Sequence, residues 1–363
     1  MCSVCSRCKV IDKNKSFEGV TSICATRAPL LHNSPPFNKN TDTTLFSHWY
    51  NPNDVEMSIE QKAFLFSQYR KLETLSEQFD DEDHPEDDED DLLDAILTTA
   101  NNIIKIIPND PVALQCKTFA LMEGEEYATV LEATASVAGK NIVTFERAYA
   151  LYKLRRETEA LKELNTDPHP TFDMLQLVAQ IHYKLGHYAK SAATYEKVFG
   201  MADQEDQKEE DDREFEVDDD DRMELCTNMA AAYVNANESN KALQAIDTRF
   251  PTTKAYELLF NRACAFIHCK SFAQARQTLE MADVVAKQSM QEEGCSEEEM
   301  EQRSMVIQAS RAVVDQLCGN EKQAKLGYEN VLNVLPRAKN PAVVAQNNIV
   351  SLRGDEHVRG SSG

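Results

Sequence analysis

The sequence predicts an all-α protein made of stacked antiparallel helix pairs, and three observations predict it. The first is Tyr256 to Ala282, YELLFNRACAFIHCKSFAQARQTLEMA. Leu259, Ala263 and Phe266 fall on one face of a first short helix. Phe272, Ala275, Leu279 and Ala282 fall on one face of a second, with Lys270 and Ser271 at the turn. Second, the pattern recurs from near 172, 223, 256 and 305. Third, only 11 Gly, 12 Pro and one Trp interrupt a chain of 363 residues rich in Ala, Leu, Glu and Lys.

The central hairpin fits the tetratricopeptide type. That unit has about 34 residues, small residues at its eighth and twentieth positions, and large apolar ones near its eleventh and twenty-fourth. Ala263 and Ala275 stand where the two helices approach most closely. One such pair cannot bury its apolar face alone, so neighbours are expected to stack on it into a superhelix. The spacings of 51, 33 and 49 residues exceed the standard period wherever an acidic insertion fills a connection.

Residues 1–57 are polar and interrupted by Pro29, Pro35, Pro36 and Pro52, and are read as a disordered or unrelated leader. The repeat solenoid is expected over 58–352 and a frayed tail over 353–363. Ser58 to Phe79 forms an amphipathic helix on Phe64, Leu65, Tyr69, Leu72, Leu75 and Phe79, with Ser58 as N-cap. Leu92 to Ile107 forms a second, closed by Pro108-Asn109-Asp110-Pro111. Hairpins follow over Val112–Ser136, with Gly124 at the turn, and over Val143–Leu164, with Ala148 and Ala160. The next has Ala179, Gly186, Ser191 and Tyr195; another has Cys226, Met229, Ala230, Tyr233, Ala242 and Ile246. After the central hairpin, the last full one has Ala312, Gly319, Ala324, Tyr328, Val331 and Pro336, and Pro341 to Leu352 begins one more helix.

The net charge of −23 is unevenly spread. Residues 80–91 hold ten acidic and no basic residues, and residues 203–222 hold thirteen acidic and three basic, so each stretch carries −10. The body is near neutral, and the acid is expected in loops at 80–91, 201–222 and 287–303. No Lys/Arg stripe offers itself to a phosphate backbone. No apolar run approaches the roughly 18 to 20 residues of a membrane span, and MCSVCSRCKV lacks an apolar signal-peptide core. A cytoplasmic protein with reduced cysteines is expected.

No chemistry-bearing constellation emerges. Phosphate loop, H-E-x-x-H and nucleophile elbow are missing, and no enzyme activity or cofactor is expected. Cys2, Cys5 and Cys8 share a metal-like spacing, but Cys24 and His32 lie at no standard distance for a fourth zinc ligand, and position 12 is Asp. His182 and His187 have no partner carboxylate or nucleophile nearby in sequence. The acidic runs lack the EF-hand register.

The informative surface is the concave face lined by the first helix of each pair. Counting from the repeat frame, Tyr183, Phe260, Cys264, Ile267, Val306, Ala309 and Val313 are expected there. That lining is mostly apolar. A clamp for C-terminal carboxylates would need Lys, Arg and Asn, of which only Asn228 and Asn261 lie close by. The groove is therefore expected to take an apolar or amphipathic helical segment of another protein.

Four segments carry a specific resemblance: Asn102-IIKIIPNDPVALQCK-Lys117 as one block, Thr144-FERAYALYKLRRETEALKEL-Leu164 as another, Asn261-Arg262-Ala263-Cys264-Ala265, and Val343 to Val350. Together with the order of the connections, they make residues 92–352 resemble the tetratricopeptide part of the 72-kDa subunits of the signal recognition particle. The resemblance implies a non-catalytic arm that holds the particle's 68-kDa subunit in co-translational targeting to the endoplasmic reticulum. In that family a Lys-rich region after the repeats contacts the 7S RNA. This chain stops at Gly363, so RNA contact is expected indirectly or through a basic region beyond it. A generic tetratricopeptide adaptor, of co-chaperone type, is the other reading.

Overall fold

The computed structural model describes residues 57–79, 89–137, 142–208, 217–334, 345–349 and 352. The cysteines at 2, 5 and 8, most of the leader, residues 80–88 and 209–216 of the acidic stretches, Pro336, Pro341 and the tail lie outside them. Among the described residues there is helix and turn and no strand. The chain divides into two compact units. One comprises Thr21–Gly186 with Gly200–Glu216; the other includes His187–Phe199 and Val217–Gly363.

The first unit begins with α1 (Ile59–Phe79) and α2 (Glu89–Ile104). Ser58 caps α1 as expected: the Gln61 N–H donates to Ser58 Oγ at 3.1 Å, and the Ser58 N–H donates to Gln61 Oε1 at 2.9 Å. Leu65, Leu72 and Leu75 of α1 pack with Leu92, Ile96, Ala100 and Ile103 of α2 and with Ala113, Cys116 and Phe119 of α3 (Pro111–Glu123). Each such buried side chain is worth roughly 1.5–3 kcal/mol of transfer free energy. Asp110 opens α3: its Oδ1 accepts from the Ala113 N–H at 2.8 Å, with Pro111 at the first helical position. The same carboxylate accepts from the Tyr69 hydroxyl at 2.6 Å, which ties α1 to α3.

Three further elements follow in pattern: α4 (Tyr127–Ala133), α5 (Thr144–Lys153) and α6 (Glu157–Leu164). Then comes α7 (Phe172–Lys184), capped by Thr171. Tyr149, Leu151, Tyr152, Ala160 and Leu164 form one core with Met174, Leu177 and Ile181 of α7.

The division between units falls after Gly186, ahead of α8 (Tyr188–Glu205). The second unit holds α9 (Asp219–Asn235), α10 (Ser239–Arg249), α11 (Tyr256–His268), α12 (Phe272–Glu292), α13 (Glu297–Leu317) and α14 (Glu321–Val334). Asn261 Nδ2 on α11 donates to the Thr227 carbonyl of α9 at 2.9 Å, binding one pair to the next. Between α12 and α13, Arg276 pairs with Asp315 at 2.9 Å, and Asp283 takes Lys287 and Gln308. The core of α13 and α14 extends to Ala345, Ile349 and Leu352, and Asn348 Nδ2 donates to the Tyr328 hydroxyl at 3.0 Å.

One turn recurs. The small residues Ala148 and Ala160, Ala230 and Ala242, Ala263 and Ala275, and Ala312 and Ala324 stand twelve positions apart and are buried within their units. Seven residues after the first of each lies a residue with left-handed backbone: Arg155, Asn237, Lys270 and Gly319. Glu125 and Gly186 hold the same conformation. The residue after each left-handed one reaches back to the helix: the Arg156 N–H to the Leu151 carbonyl, Ser271 to Phe266 and Asn320 to Asp315. This is the Schellman closure that turns one helix sharply onto the next.

One turn is as expected and one loop is not. Gly124 lies in the α3–α4 turn as expected, with φ −72° at the end of the helix, and Glu125 is the turn's left-handed residue. The stretch expected as an acidic loop over 287–303 is helical except for its turn. α12 runs on to Glu292 because Ala286 and Met290 are buried. α13 starts at once behind a capping box of Ser296 and Glu299, where Glu297, Glu298 and Glu299 complement the helix N-terminus. Likewise, α8 persists to Glu205 and α9 begins at Asp219, so the ends of the 201–222 stretch are helical.

Candidate protein-binding surface

The seven residues expected to line a groove lie on the first helices of three pairs. Phe260, Cys264 and Ile267 sit on α11, and Val306, Ala309 and Val313 on α13. Tyr183 belongs to α7 in the other unit and is half-buried. Phe260 (2 % exposed), Cys264 (4 %), Ile267 (6 %), Ala309 (5 %) and Val313 (3 %) are packed inside their unit, and Val306 is half-buried. The cause is the number of neighbours. α11 packs against α9, α10 and α12 at once, which leaves little of its circumference open. Ala309 and Val313 belong to the core shared with Ala345, Ile349 and Leu352.

A polar cluster accompanies these apolar positions at the start of α9 and α11. Glu224 and Glu257 stand 33 residues apart, one repeat period, each in the run Glu-Leu-x-x-Asn that ends at Asn228 and Asn261. Burial pushes the Glu224 carboxyl up to about 7, helped by the charges of Asp221 and Glu257 and opposed by a hydrogen bond from Asn228. Burial also raises the Glu257 carboxyl, against the hydrogen bond from Tyr256. The recurring Glu-Leu-x-x-Asn was the sequence signal for this pair. Reading the face for apolar residues and carboxylate clamps passed it over.

Other candidates are quieter. Cys116, Cys226 and Cys264 are buried free thiols, and burial lifts those of Cys116 and Cys226 to about 12, far from the reactive thiolate. His182 lies in the last turn of α7 and His187 in the turn after it. Among the described residues no group of His, Cys, Asp and Glu could hold a metal ion, and no helix is long and apolar enough to cross a membrane.

The fold and its recurring turn define a helical-repeat protein of the tetratricopeptide class. No family model matches the chain. It is similar to the signal recognition particle subunit SRP72 of Dictyostelium discoideum, 29 % identical over 258 residues, which is 71 % of this chain and 36 % of that protein. It is likewise 28 % identical over 266 residues to the subunit SRP72 of Homo sapiens, across 72 % of this chain and 37 % of that one. The chain thus spans about a third of the length of the curated relatives it matches. Over some seven-tenths of its own length it is 28–29 % identical to signal recognition particle subunits SRP72, in keeping with the resemblance read from the four segments above. A tetratricopeptide repeat protein from Parabacteroides merdae superposes with a TM-score of 0.44 at 10 % identity, over 78 % of this chain and 98 % of that one; at that score nothing further rests on it.

Proposed function

We propose that the chain is a non-catalytic scaffold subunit of a signal recognition particle, acting in co-translational targeting of proteins to the endoplasmic reticulum membrane. It binds the 68-kDa partner subunit through the first-helix face of its repeats and works in the cytoplasm, with 7S RNA reached through the partner or through a basic region outside this chain. The observation that carries the reading is the similarity to the SRP72 subunits over about seven-tenths of this chain. The half-buried positions Tyr183 and Val306, on first helices of their own units, support an apolar or amphipathic helical segment as the bound element. Of the seven candidate positions, Tyr183 in the first unit and Val306 in the second have surface to offer, and the other five are buried in the second unit.

The test is co-purification of this chain with the C-terminal part of the 68-kDa subunit, followed by gel filtration. A one-to-one complex weakened by Val306→Glu or Tyr183→Glu, each assayed separately with the helical spectrum intact, supports the reading. A folded chain that forms no complex sinks it and leaves a generic tetratricopeptide adaptor.

A further inference from the structure

In the first unit, three cations gather at the turn ends of α5 and α7 over a floor of tyrosines. Lys184 Nζ lies 3.9 Å from the ring centre of Tyr152. Lys153 Nζ lies 5.5 Å from that of Tyr127 and 5.6 Å from that of Tyr149. Arg155, two residues beyond Lys153, is exposed, and Leu154 beside it is 37 % exposed. Arg156 is already held in a two-pronged pair by Glu159. The group is under-neutralised. Glu157 reaches Lys184 only at 3.7 Å, and Lys153 and Arg155 make no ion pair among the described residues. Burial first, then the charges of Arg155 and Lys153, lower the Lys184 ammonium, against the pull of Glu157.

The helix ends account for part of this. Lysines in a last turn complement the negative pole of a helix, which serves Lys153 and Lys184 singly. It does not account for Arg155. That residue lies beyond α5 with φ 62°, the conformation Gly186 and Gly319 adopt in their own turns. The turn requires that conformation in every repeat, but not a cation: Glu125 and Asn237 hold it elsewhere, whereas here it sets a third positive charge beside Lys153 and Lys184.

We propose that Lys153, Arg155 and Lys184 form an anion-reading patch for a short peptide segment of a partner protein, one whose carboxylates meet the three cations and whose apolar side chain meets Leu154. A peptide fits better than RNA. Tyr149 and Tyr152 are buried beneath the lysines and present no ring face on which a base could stack, whereas exposed Leu154 beside the cations suits an apolar side chain. The patch uses none of the seven first-helix positions above, and it stands whether or not the signal recognition particle reading does.

The test uses the full chain and a fluorescein-labelled peptide of two Glu-Glu-Leu repeats, followed by fluorescence anisotropy at low and physiological salt. Controls are the same peptide with Gln for Glu and an oligouridylate of six nucleotides. The acidic peptide is expected to bind more tightly than either control. Arg155→Gly is expected to weaken it about five-fold or more while raising the melting temperature, because glycine relieves the turn. Lys153→Gln is expected to weaken it as well. Binding unchanged by both variants overturns the proposal, and so does tighter binding of the oligouridylate.

Discussion

Glu146 is the residue whose burial has the plainest consequence. It is 2 % exposed, in the first turn of α5, where the N-cap position is Val143 and supplies no side-chain acceptor. Its carboxyl accepts from its own backbone N–H, yet burial outweighs that bond and raises it to about 7. The folded state therefore binds this proton more tightly than the unfolded chain, where a glutamate titrates near 4.5. Stability from this group is fully present below that value and is lost as pH rises toward about 7. Glu224 acts in the same direction. Glu146→Gln keeps an acceptor and drops the charge. It is expected to gain on the order of 2 kcal/mol over the parent at pH 8 and almost nothing at pH 4.5, read by urea denaturation at both. An equal gap at the two pH values would disprove the assignment. A second residue prediction concerns Phe260. Placed in the core rather than on a surface, Phe260→Glu is expected to cost more than about 3 kcal/mol and to lose the cooperative melt of its unit. If the variant melts like the parent, the side chain faces solvent.

At the scale of the element, the helix pair obeys two constraints, and each can be broken alone. The turn needs a left-handed residue, and glycine supplies it without the steric cost of about 1–2 kcal/mol that Lys270 bears. Glycine also frees the unfolded chain, which returns roughly 0.5–1 kcal/mol. Lys270→Gly is expected to stabilise by about 0.5–1 kcal/mol, seen as a rise in melting temperature, whereas Gly319→Ala is expected to lower it. The second constraint is close approach. A Cβ added to Gly327 on α14 would lie 2.9 Å from Ala312 Cβ on α13. Alanine is the better helix former by about 1 kcal/mol, but the overlap forces the helices apart at a cost of about 1–3 kcal/mol. Gly327→Ala is thus expected to destabilise, and a higher melting temperature would mean that the pair can spread freely. These constraints explain what could be read from sequence. Ala263 and Ala275, or Ala312 and Ala324, were legible because closely packed helices exclude larger side chains at those positions. Gly124 marked the turn correctly, although the left-handed position fell to Glu125, which only the backbone shows. The acidic stretch around Glu297 misled because charge composition alone does not separate a solvated loop from a helix N-terminus that favours acid. The lining at Phe260 and Cys264 was hardest, because a 3.6-residue period identifies a helix's apolar side but not how many neighbours cover it.

At the scale of the whole molecule, charge decides what the chain can do alone. Two stretches of about 20 residues or fewer hold −20 of the −23, and the rest of the chain is near neutral. Nucleic-acid affinity grows with the number of phosphates neutralised, because each contact releases condensed counterions, and it falls with salt in proportion. A chain with this balance has few contacts to offer and a long-range field of the wrong sign. An apolar face, by contrast, binds through surface removed from water, which salt does not screen. The proposed scaffold role thus separates two dependences. The complex with the 68-kDa subunit is expected to change less than about three-fold in affinity between 50 and 300 mM salt. This chain alone is expected to bind 7S RNA no better than a control RNA of equal length at physiological salt, while the two-protein complex retains it. Filter binding across a salt series checks both. Tight, steeply salt-dependent binding of 7S RNA by this chain alone would show that a local cationic surface outweighs the acidic whole, and the indirect route to RNA would have to be abandoned.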